Sequence, residues 1–314
     1  MKKTSVLVVG SINMDVLMYG VPRLAGFGEA ISYKNYLLKP GGKGANQAVA
    51  LAKFGLDSHL VGTIGEDENG KVILDNLQHH GVDTTYVFPN PNVNTGLASI
   101  IIEEKAARYA AYVAQGGNDH VKGEQVENAL NNIPQIDMIL MQLEMPLETV
   151  YQTYELARNR GIPVFLDAGP AMKIPLEPLN GIFVISPNEA ETFALTGIDP
   201  STEENAIKAV KKLHEETKAK YVILKLGEKG AMFFDGKMAE TIPCFDVVAI
   251  DTTGAGDTFN AALVVSYCNG NSMRDSIRFA HAAAGLSVMK EGALDSIPTL
   301  ESVHKFLEEH TVEC

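Results

Sequence analysis

Short apolar runs alternate with amphipathic stretches along most of this chain, and that alternation restricts the fold more than any other sequence feature. The apolar runs have the length of buried β-strands, and the amphipathic stretches have the periodicity of surface helices. Gly55, Gly81 and Gly161 each follow an amphipathic stretch, where a helix is expected to end. Strands are predicted at residues 6–9, 59–64, 138–142, 164–167, 183–186, 221–225 and 231–234, and helices at residues 45–54, 69–80, 147–160, 203–217, 257–268, 272–290 and 300–310.

This order of elements predicts an α/β fold with a mostly parallel central sheet and helices on both of its faces. Parallel neighbouring strands need a crossover connection, and crossovers within one sheet are right-handed, so the intervening helices cover the sheet. The length of 314 residues suits one large domain of this kind with an appendage. We assign residues 1–11, 39–91 and 115–314 to this domain.

Two segments interrupt the alternation and predict a second, smaller sheet. Residues 12–38 and 92–114 carry short β-type runs, at 31–37, 96–102 and 108–114, without a crossover helix between them. Such runs fit a small sheet packed over one end of the main domain. Periodicity alone leaves a pair of separate surface hairpins as an alternative.

Composition excludes several classes of function. The formal net charge of −13 opposes binding to a nucleic-acid backbone, which needs clustered Lys and Arg. The three cysteines, Cys244, Cys268 and Cys314, show no disulfide or zinc spacing, which indicates a reducing, cytoplasmic location. No run of eighteen apolar residues predicts a membrane span, and the apolar run after the basic start is too short for an export signal.

One glycine segment, residues 65–72, nearly matches a P-loop but lacks its chemistry. A P-loop needs Ser or Thr after its Lys to bind magnesium, and here Val72 follows Lys71. The acidic residues 66–68 would also repel phosphates. We interpret this segment as a polar loop that opens a helix, and no strand is followed by the Gly-rich fingerprint of nicotinamide cofactors.

A second glycine segment, residues 251–260, predicts an anion-binding turn. Gly254, Ala255 and Gly256 are small enough for a close backbone approach to a ligand. The helix predicted after them would point unpaired N–H groups and the positive end of its dipole at that ligand. Asp257 at the rim could accept a proton from an attacking hydroxyl, or it could simply cap the helix.

A third glycine segment, residues 40–47, and the polar residues after the first strand predict a polyol site. Gly42 and its neighbours allow close approach, and Lys43 and Asn46 supply a cation and an amide. Asn13 and Asp15 follow the strand at 6–9, and ligands of open α/β sheets bind at the carboxyl ends of strands. Each of these residues alone is more often a loop or capping residue.

Taken together and in order, these motifs resemble the ribokinase-like, phosphofructokinase-B-type sugar kinase family. The resemblance runs nearly end to end and rests on residues 10–15, 41–47, 141–144, 186–191, 226–230, 251–259 and 278–284. It implies a kinase that uses ATP and Mg²⁺ to phosphorylate the primary hydroxyl of a ribose-like sugar, with a β-sheet lid over the sugar and a homodimer formed through the lids.

The resemblance also implies roles for individual residues. Asp257 would be the catalytic base, with the N–H groups of residues 254–256 as the anion hole. The sugar would be bound by Asn13, Asp15, Gly42, Lys43, Asn46 and Glu144. The magnesium-bound phosphates and the nucleotide would be bound by Asn188, Glu191, Lys225, Gly227, Gly230 and His281.

A potassium site is implied beside the anion hole, where the cation would order the loop before Asp257. The matching positions are Asp251, Thr253, Ser287, Lys290, Gly292 and Ser296.

Two segments depart from the family pattern: Asp167 begins Asp-Ala-Gly-Pro where Asn-Pro-Ala-Pro is usual, and residues 103–108 lack the expected Gly/Asn turn. Lys290 stands where Arg is frequent, which is harmless if only its carbonyl is used.

Two alternatives stay open at this point. Within the enzyme class, the acceptor could be deoxyribose, another sugar or a nucleoside, although Asn13 favours a sugar with a 2-hydroxyl, because an unpaired buried amide costs about 1–3 kcal/mol. Outside it, the chain could be a catalytically silent sugar-binding regulator. The intact residues 254–257, Asn188 and Glu191 favour an active enzyme.

Overall fold

The computed structural model describes residues 3–103 and 109–310, and these form two separate β-sheets flanked by helices. The strands, in chain order, are β1 (Ser5–Val9), β2 (Asn13–Val21), β3 (Asn35–Gly41), β4 (Asp57–Gly65), β5 (Val87–Asn90), β6 (Gly96–Glu103), β7 (Tyr109–Ala114), β8 (Met138–Met141), β9 (Val164–Asp167), β10 (Val184–Ser186), β11 (Tyr221–Lys225), β12 (Ala231–Phe234) and β13 (Ala239–Ile242).

The large sheet has the order β13-β12-β11-β10-β9-β8-β1-β4-β5. Its neighbours from β5 to β11 pair in parallel, and only β11–β12 and β12–β13 pair antiparallel. The predicted mostly parallel central sheet is therefore confirmed.

Helices cover both faces of this sheet, as predicted. They are α1 (Lys43–Lys53), α2 (Glu68–His79), α3 (Gly123–Asn132), α4 (Leu147–Asn159), α5 (Glu189–Thr196), α6 (Glu203–Thr217), α7 (Ala255–Cys268), α8 (Met273–Val288) and α9 (Leu300–Glu309). Side chains alternate between the two cores: Val6 and Val8 pack with α1, α2, α7, α8 and α9, whereas Leu7 and Val9 pack with α3, α4 and α6. Each such fully buried side chain contributes about 1.5–3 kcal/mol to folding.

The small sheet has the order β3-β2-β6-β7 and joins the two segments that interrupt the sequence alternation. Strand β2 pairs in parallel with β6, so the alternative of two separate hairpins is wrong. The strand predicted at 31–37 lies instead at 35–41, because β3 pairs antiparallel with β2 starting at Asn35 opposite Tyr19. This strand continues past residue 38, where the predicted small domain ends, and the division into domains stays a prediction.

Five elements have no strand or helix of their own in the sequence prediction: α3, α5, β2, β5 and β13, of which β2 lies within the segment 12–38 that was predicted as β-type. Helix α5 is short and carries no apolar stripe of helical period, so tertiary packing decides it. Of the atypical turn at 103–108, only Glu103 lies within the described residues. Among the described helices, none has the length and apolar character needed to cross a membrane.

Candidate active site

Two glycine turns bring the predicted site motifs together, because each starts a helix and the two helices pack against each other. Gly42 caps α1 with a φ of 91°, and Gly254 caps α7 with a φ of 74°. A Cβ on Gly42 would come within 2.9 Å of the Asn13 nitrogen and the Ser11 oxygen. Only glycine fits this left-handed position beside a neighbouring backbone.

Asp257 lies in the first turn of α7, and its carboxylate points at α1. Asn46 Nδ2 donates to Asp257 Oδ2 at 2.8 Å, and Gln47 Nε2 donates to Asp257 Oδ1 at 3.0 Å. The helix cap is Gly254, so the alternative that Asp257 merely caps the helix is wrong. Burial raises the pKa of Asp257 to about 6, against the lowering effect of the Lys43 ammonium. A carboxylate with such a pKa suits a general base near neutral pH.

Three of the predicted sugar-binding residues are buried on β2 and α1. Asn13 and Asp15 are both buried on β2, and Asn46 is buried on α1. Burial, Glu144 and Asp257 together raise the pKa of Asp15 to about 7. The Asn46 Oδ1 atom is buried, and the described residues offer it no hydrogen-bond donor. A ligand hydroxyl could supply that donor.

Two side chains that sequence analysis did not single out hold this cluster in place. Asn118 Nδ2 donates to Asn13 Oδ1 at 2.7 Å. Ser11 Oγ donates to Glu144 Oε2 at 2.5 Å. No motif contains Asn118, whereas Ser11 stands inside the quoted segment 10–15 and offered at least a positional signal.

Lys43 is the central cation of the site. Its Nζ lies 3.8 Å from Asp167 Oδ2 and 4.0 Å from Asp257 Oδ1. Burial by itself lowers the pKa of Lys43, but the surrounding carboxylates of Asp167, Asp257, Glu144 and Glu191 raise it above its usual value. The ammonium therefore stays charged and balances the buried carboxylates.

A cavity of about 930 Å³ opens beside the first turn of α7. Four of the residues predicted for the nucleotide line it, together with two of the anion-hole residues: Lys225, Gly227, Gly230, His281, Ala255 and Gly256. A Cβ on Gly230 would come within 2.2 Å of the backbone oxygen of Ile242, so this position has room only for glycine. Burial lowers the pKa of His281 to about 4, so its ring is neutral. The cavity has the size of a cofactor or nucleotide site.

The predicted anion hole is partly used within the protein. The Ala255 N–H donates to the Thr252 oxygen at 3.2 Å. The other N–H groups in the first turn of a helix have no acceptor within the helix and can point at an anion. A Cβ on Gly256 would meet no described atom within 4 Å, so space is open there.

Asn188 and Glu191 form a capping box at the start of α5 and do not line the cavity. The Glu191 carboxylate accepts the Asn188 backbone N–H at 2.7 Å, and Asn188 Oδ1 accepts the Glu191 N–H at 2.9 Å. These two hydrogen bonds stabilise the start of α5, so the two residues have a structural role that needs no ligand. Burial raises the pKa of Glu191, and each of its oxygens keeps a lone pair for a hydrated cation.

The predicted potassium-site residues come from the loop before α7, from the last turn of α8 and from the loop after α8. Asp251 Oδ2 accepts the Gly292 N–H at 2.8 Å, and Asp251 Oδ1 accepts the Thr253 N–H at 2.9 Å. These bonds lower the pKa of Asp251 although burial raises it. Lys290 donates its N–H to the Ser287 oxygen. Ser296 Oγ donates to the backbone oxygen of Ala293, three residues earlier in the same loop.

Behind the Asp257 carboxylate, the predicted base, lies a buried polar network whose connections the motifs did not reveal. Gln47 bridges two carboxylates, since its Nε2 atom donates to Asp257 and to Asp167, the latter at 2.9 Å. Gln142 Nε2 donates to Gln47 Oε1 at 2.5 Å, and Lys225 Nζ donates to Asp167 Oδ1 at 2.7 Å. Lys225 was predicted for the nucleotide, and Gln47 and Gln142 stand in the quoted segments 41–47 and 141–144, whereas for Asp167 the signal was the departure from the family pattern.

Comparisons with known proteins agree with this geometry. Residues 3–300 match the pfkB family of carbohydrate kinases. The ribokinase of Haemophilus influenzae is 38% identical over 308 residues, which cover 98% of this chain and 99% of that protein. The solved structure of Arabidopsis thaliana ribokinase with ribose and ATP has a TM-score of 0.88 and 36% identity, and the match covers 98% of this chain and 99% of that one. A deoxyribokinase of Salmonella typhi is 29% identical, over 96% of this chain and 98% of that protein.

A match over nearly the whole chain, at this identity, is decisive for the family. The fold neighbours share the large parallel sheet and the separate small sheet described above. The chain belongs to the pfkB family of carbohydrate kinases and is an ATP-dependent sugar kinase.

Proposed function

We propose that this protein transfers the γ-phosphate of ATP to the 5-hydroxyl of D-ribose, with Asp257 as the general base. One observation carries the proposal: the buried Asp257 carboxylate lies between a cluster of polar side chains suited to a polyol and a large glycine-lined cavity. The relatives named ribokinase, including one solved with ribose and ATP, support ribose as the acceptor.

The sugar is bound by the cluster at β2 and α1. Asp15 and Glu144 accept hydrogen bonds from hydroxyls, and Asn13 donates one. The Asn46 Oδ1 atom, which receives no donor from the described part of the chain, accepts another. Lys43 keeps its charge beside these carboxylates, and Gly42 allows close approach of the sugar. Asp257 then removes the proton of the primary hydroxyl as that oxygen attacks phosphorus.

The phosphates of ATP lie at the start of α7. The N–H groups of Gly254 and Gly256 and the helix dipole stabilise negative charge on the transferred group, and the Ala255 N–H joins them when its long bond to the Thr252 oxygen opens. Lys225, Gly227, Gly230 and His281 hold the nucleotide in the cavity that they line. Catalysis is therefore mainly positioning and charge stabilisation, as phosphoryl transfer requires.

Magnesium and a monovalent cation fit donor groups of this site. Bound magnesium neutralises phosphate charge, and the buried Glu191 carboxylate beside Asn188 suits its water ligands. Potassium would be held by oxygens of Asp251, Thr253, Ser287, Lys290, Gly292 and Ser296. Asp251 already links the loop before Asp257 to Gly292, so these residues order that loop.

The small sheet serves as the lid, and the active form is a dimer joined through it. Both edge strands of the sheet expose apolar side chains. Tyr36 is 56% exposed and Leu38 52% exposed on β3, and Tyr112 is 64% exposed on β7. Exposed apolar patches of this kind mark interaction surfaces. A mass measurement by light scattering tests the dimer, and a monomer of unchanged activity would contradict it.

A kinase for 2-deoxyribose is the main alternative, because the chain is also similar to a deoxyribokinase. The orientation of Asn13 favours ribose, because its amide N–H would lose its acceptor with a deoxy sugar. The silent regulator is disfavoured by the raised pKa of Asp257, which suits proton transfer.

The test is release of ADP from ATP·Mg²⁺ with ribose, 2-deoxyribose, a hexose and a nucleoside, each with and without K⁺. We expect selective turnover of ribose that K⁺ increases. Selective turnover of another sugar would overturn ribose as the acceptor. Sugar binding without any turnover would favour the silent regulator, and an unchanged rate without K⁺ would contradict the cation site.

A further inference from the structure

Asp167 is buried at the end of β9, and each of its carboxylate oxygens accepts from a different part of the site. Lys225 Nζ donates to Oδ1 at 2.7 Å, and Lys225 lines the nucleotide cavity. Gln47 Nε2 donates to Oδ2 at 2.9 Å and also donates to the catalytic Asp257. One carboxylate therefore contacts both the nucleotide side and the base side of the site.

The negative charge of Asp167, together with that of Asp257, fixes the orientation of the Gln47 amide. Because Gln47 lies between the carboxylates of Asp167 and Asp257, its NH₂ group must face them. Its Oε1 atom therefore faces Gln142. Lys225 uses a second N–H for the Ser186 oxygen at 3.0 Å, which leaves one N–H of the ammonium for a ligand oxygen.

From this arrangement we propose that Asp167 is a positioning residue for the phosphoryl transfer: it aims Lys225 at the phosphates of the nucleotide and, through Gln47, holds Asp257 toward the sugar. The proposal rests on the sugar kinase function proposed above and adds a residue to it. The groups that act on Asp257 are Lys43, Asn46 and Gln47 on α1, Asp15 on β2 and Asp167 on β9.

An asparagine at this position cannot accept from both of the partners that this chain places there, Lys225 and Gln47. Its one amide oxygen can accept from Lys225, but its NH₂ group then faces the NH₂ group of Gln47. Gln47 must turn over, and its oxygen then faces the Asp257 carboxylate, which loses a donor. Asp167→Asn keeps the size of the side chain and so tests the charge rather than the packing.

The experiment compares initial rates of Asp167→Asn with the wild type on whichever sugar the wild type phosphorylates. We expect kcat to fall about 10–100-fold and the KM for ATP to rise several-fold. The KM for the sugar should change less, because Lys43, the sugar-binding residue beside Asp167, keeps its Nζ 3.8 Å from Asp167 Oδ2, beyond hydrogen-bond distance. Asp75→Asn, on the exposed face of α2, is the matched control and should behave like the wild type.

A double-mutant cycle with Gln47→Met separates positioning from a general structural effect. If Asp167 acts on Asp257 through Gln47, the loss of kcat in the double variant is smaller than the product of the single losses. Multiplicative losses, or wild-type kcat and KM values in Asp167→Asn, would overturn the proposal.

If Asp167→Asn does not fold, two other variants still test its two contacts separately: Lys225→Met tests the contact toward the nucleotide, and Gln47→Met tests the contact toward Asp257. The first should raise the KM for ATP, and the second should lower kcat with the KM for ATP unchanged. The same effect from both variants would overturn the division of roles. A wild type without sugar turnover, by contrast, would refute the proposed function itself.

Discussion

Asn118 donates a hydrogen bond of 2.7 Å from its side-chain amide to the amide oxygen of Asn13, and the backbone fixes this direction. The Ile12 N–H donates to Asn118 Oδ1 at 2.9 Å, so that oxygen is the acceptor and the NH₂ group must face Asn13. The Asn13 oxygen therefore accepts from Asn118, which leaves the Asn13 NH₂ group to donate to a ligand.

Asn118→Asp should reverse this arrangement. The aspartate still accepts from Ile12, but its second oxygen repels the Asn13 oxygen, so the Asn13 amide turns over. We expect kcat/KM for ribose to fall about 10–100-fold, which corresponds to about 1–3 kcal/mol, and a smaller loss for 2-deoxyribose. Asn128→Asp, exposed on α3, is the control. Equal losses for both sugars would contradict recognition of the 2-hydroxyl by Asn13.

Asp257→Asn should abolish turnover while the sugar still binds. The asparagine cannot accept a proton from the hydroxyl, so kcat should fall about 10²–10⁴-fold, the range for a positioned base. Calorimetry of ribose binding to the variant checks that the site is intact. Turnover close to that of the wild type would remove Asp257 from its proposed role.

Turnover should fall in acid because Asp257 must be ionised to act. Burial raises its pKa to about 6, so the ionised form, and with it kcat, is lost as the pH falls through that value. A profile of kcat between pH 5 and 8, at saturating sugar and ATP, measures this loss of turnover at acid pH. A profile that stays flat down to pH 5 would be incompatible with the assigned base.

Sugar binding should release a proton from Asp15. The pKa of this residue is about 7 in the free protein, so near pH 7 about half of the molecules carry the proton. Hydroxyls that donate to the carboxylate favour its ionised form, so binding lowers the pKa and weakens as the pH falls below 7. Calorimetry in two buffers of different ionisation enthalpy measures the release. Asp15→Asn should bind without it.

Gly256→Ala should separate folding from nucleotide binding. A Cβ there meets no described atom within 4 Å and projects into space beside the cavity, so the fold should tolerate it. Alanine in a helix is more stable than glycine by about 0.5–1 kcal/mol, so Tm should be equal or higher. We expect kcat/KM for ATP to fall about tenfold or more, because the methyl group takes phosphate space.

Gly254→Ala is the contrasting variant for this prediction. Gly254 has a φ of 74°, and a Cβ would approach Ala293 at 2.9 Å. It should therefore lose both stability and activity. Unchanged ATP kinetics in Gly256→Ala would contradict the placement of the phosphates at the start of α7.

The sequence predicts the central sheet well because each strand and helix buries a continuous apolar face with its own period. It predicts less well where local signals are weak. Helix α5 is held by the reciprocal bonds of Asn188 and Glu191, and strand β3 begins where its partner β2 offers hydrogen bonds. These boundaries depend on contacts that no local pattern contains.

By itself, the sequence determined the α/β class, the two glycine turns and the candidate base, since local periodicity and glycine placement specify them. Only the tertiary structure decided which side chains support that base. Asn46 and Asp257 are 211 positions apart in the chain, and Gln47 and Asp167 are 120 apart. Asn118 lies in no motif, yet it orients Asn13. Such hydrogen bonds are set by how α1, α7 and β9 pack, because packing alone brings distant polar groups within 3 Å of each other.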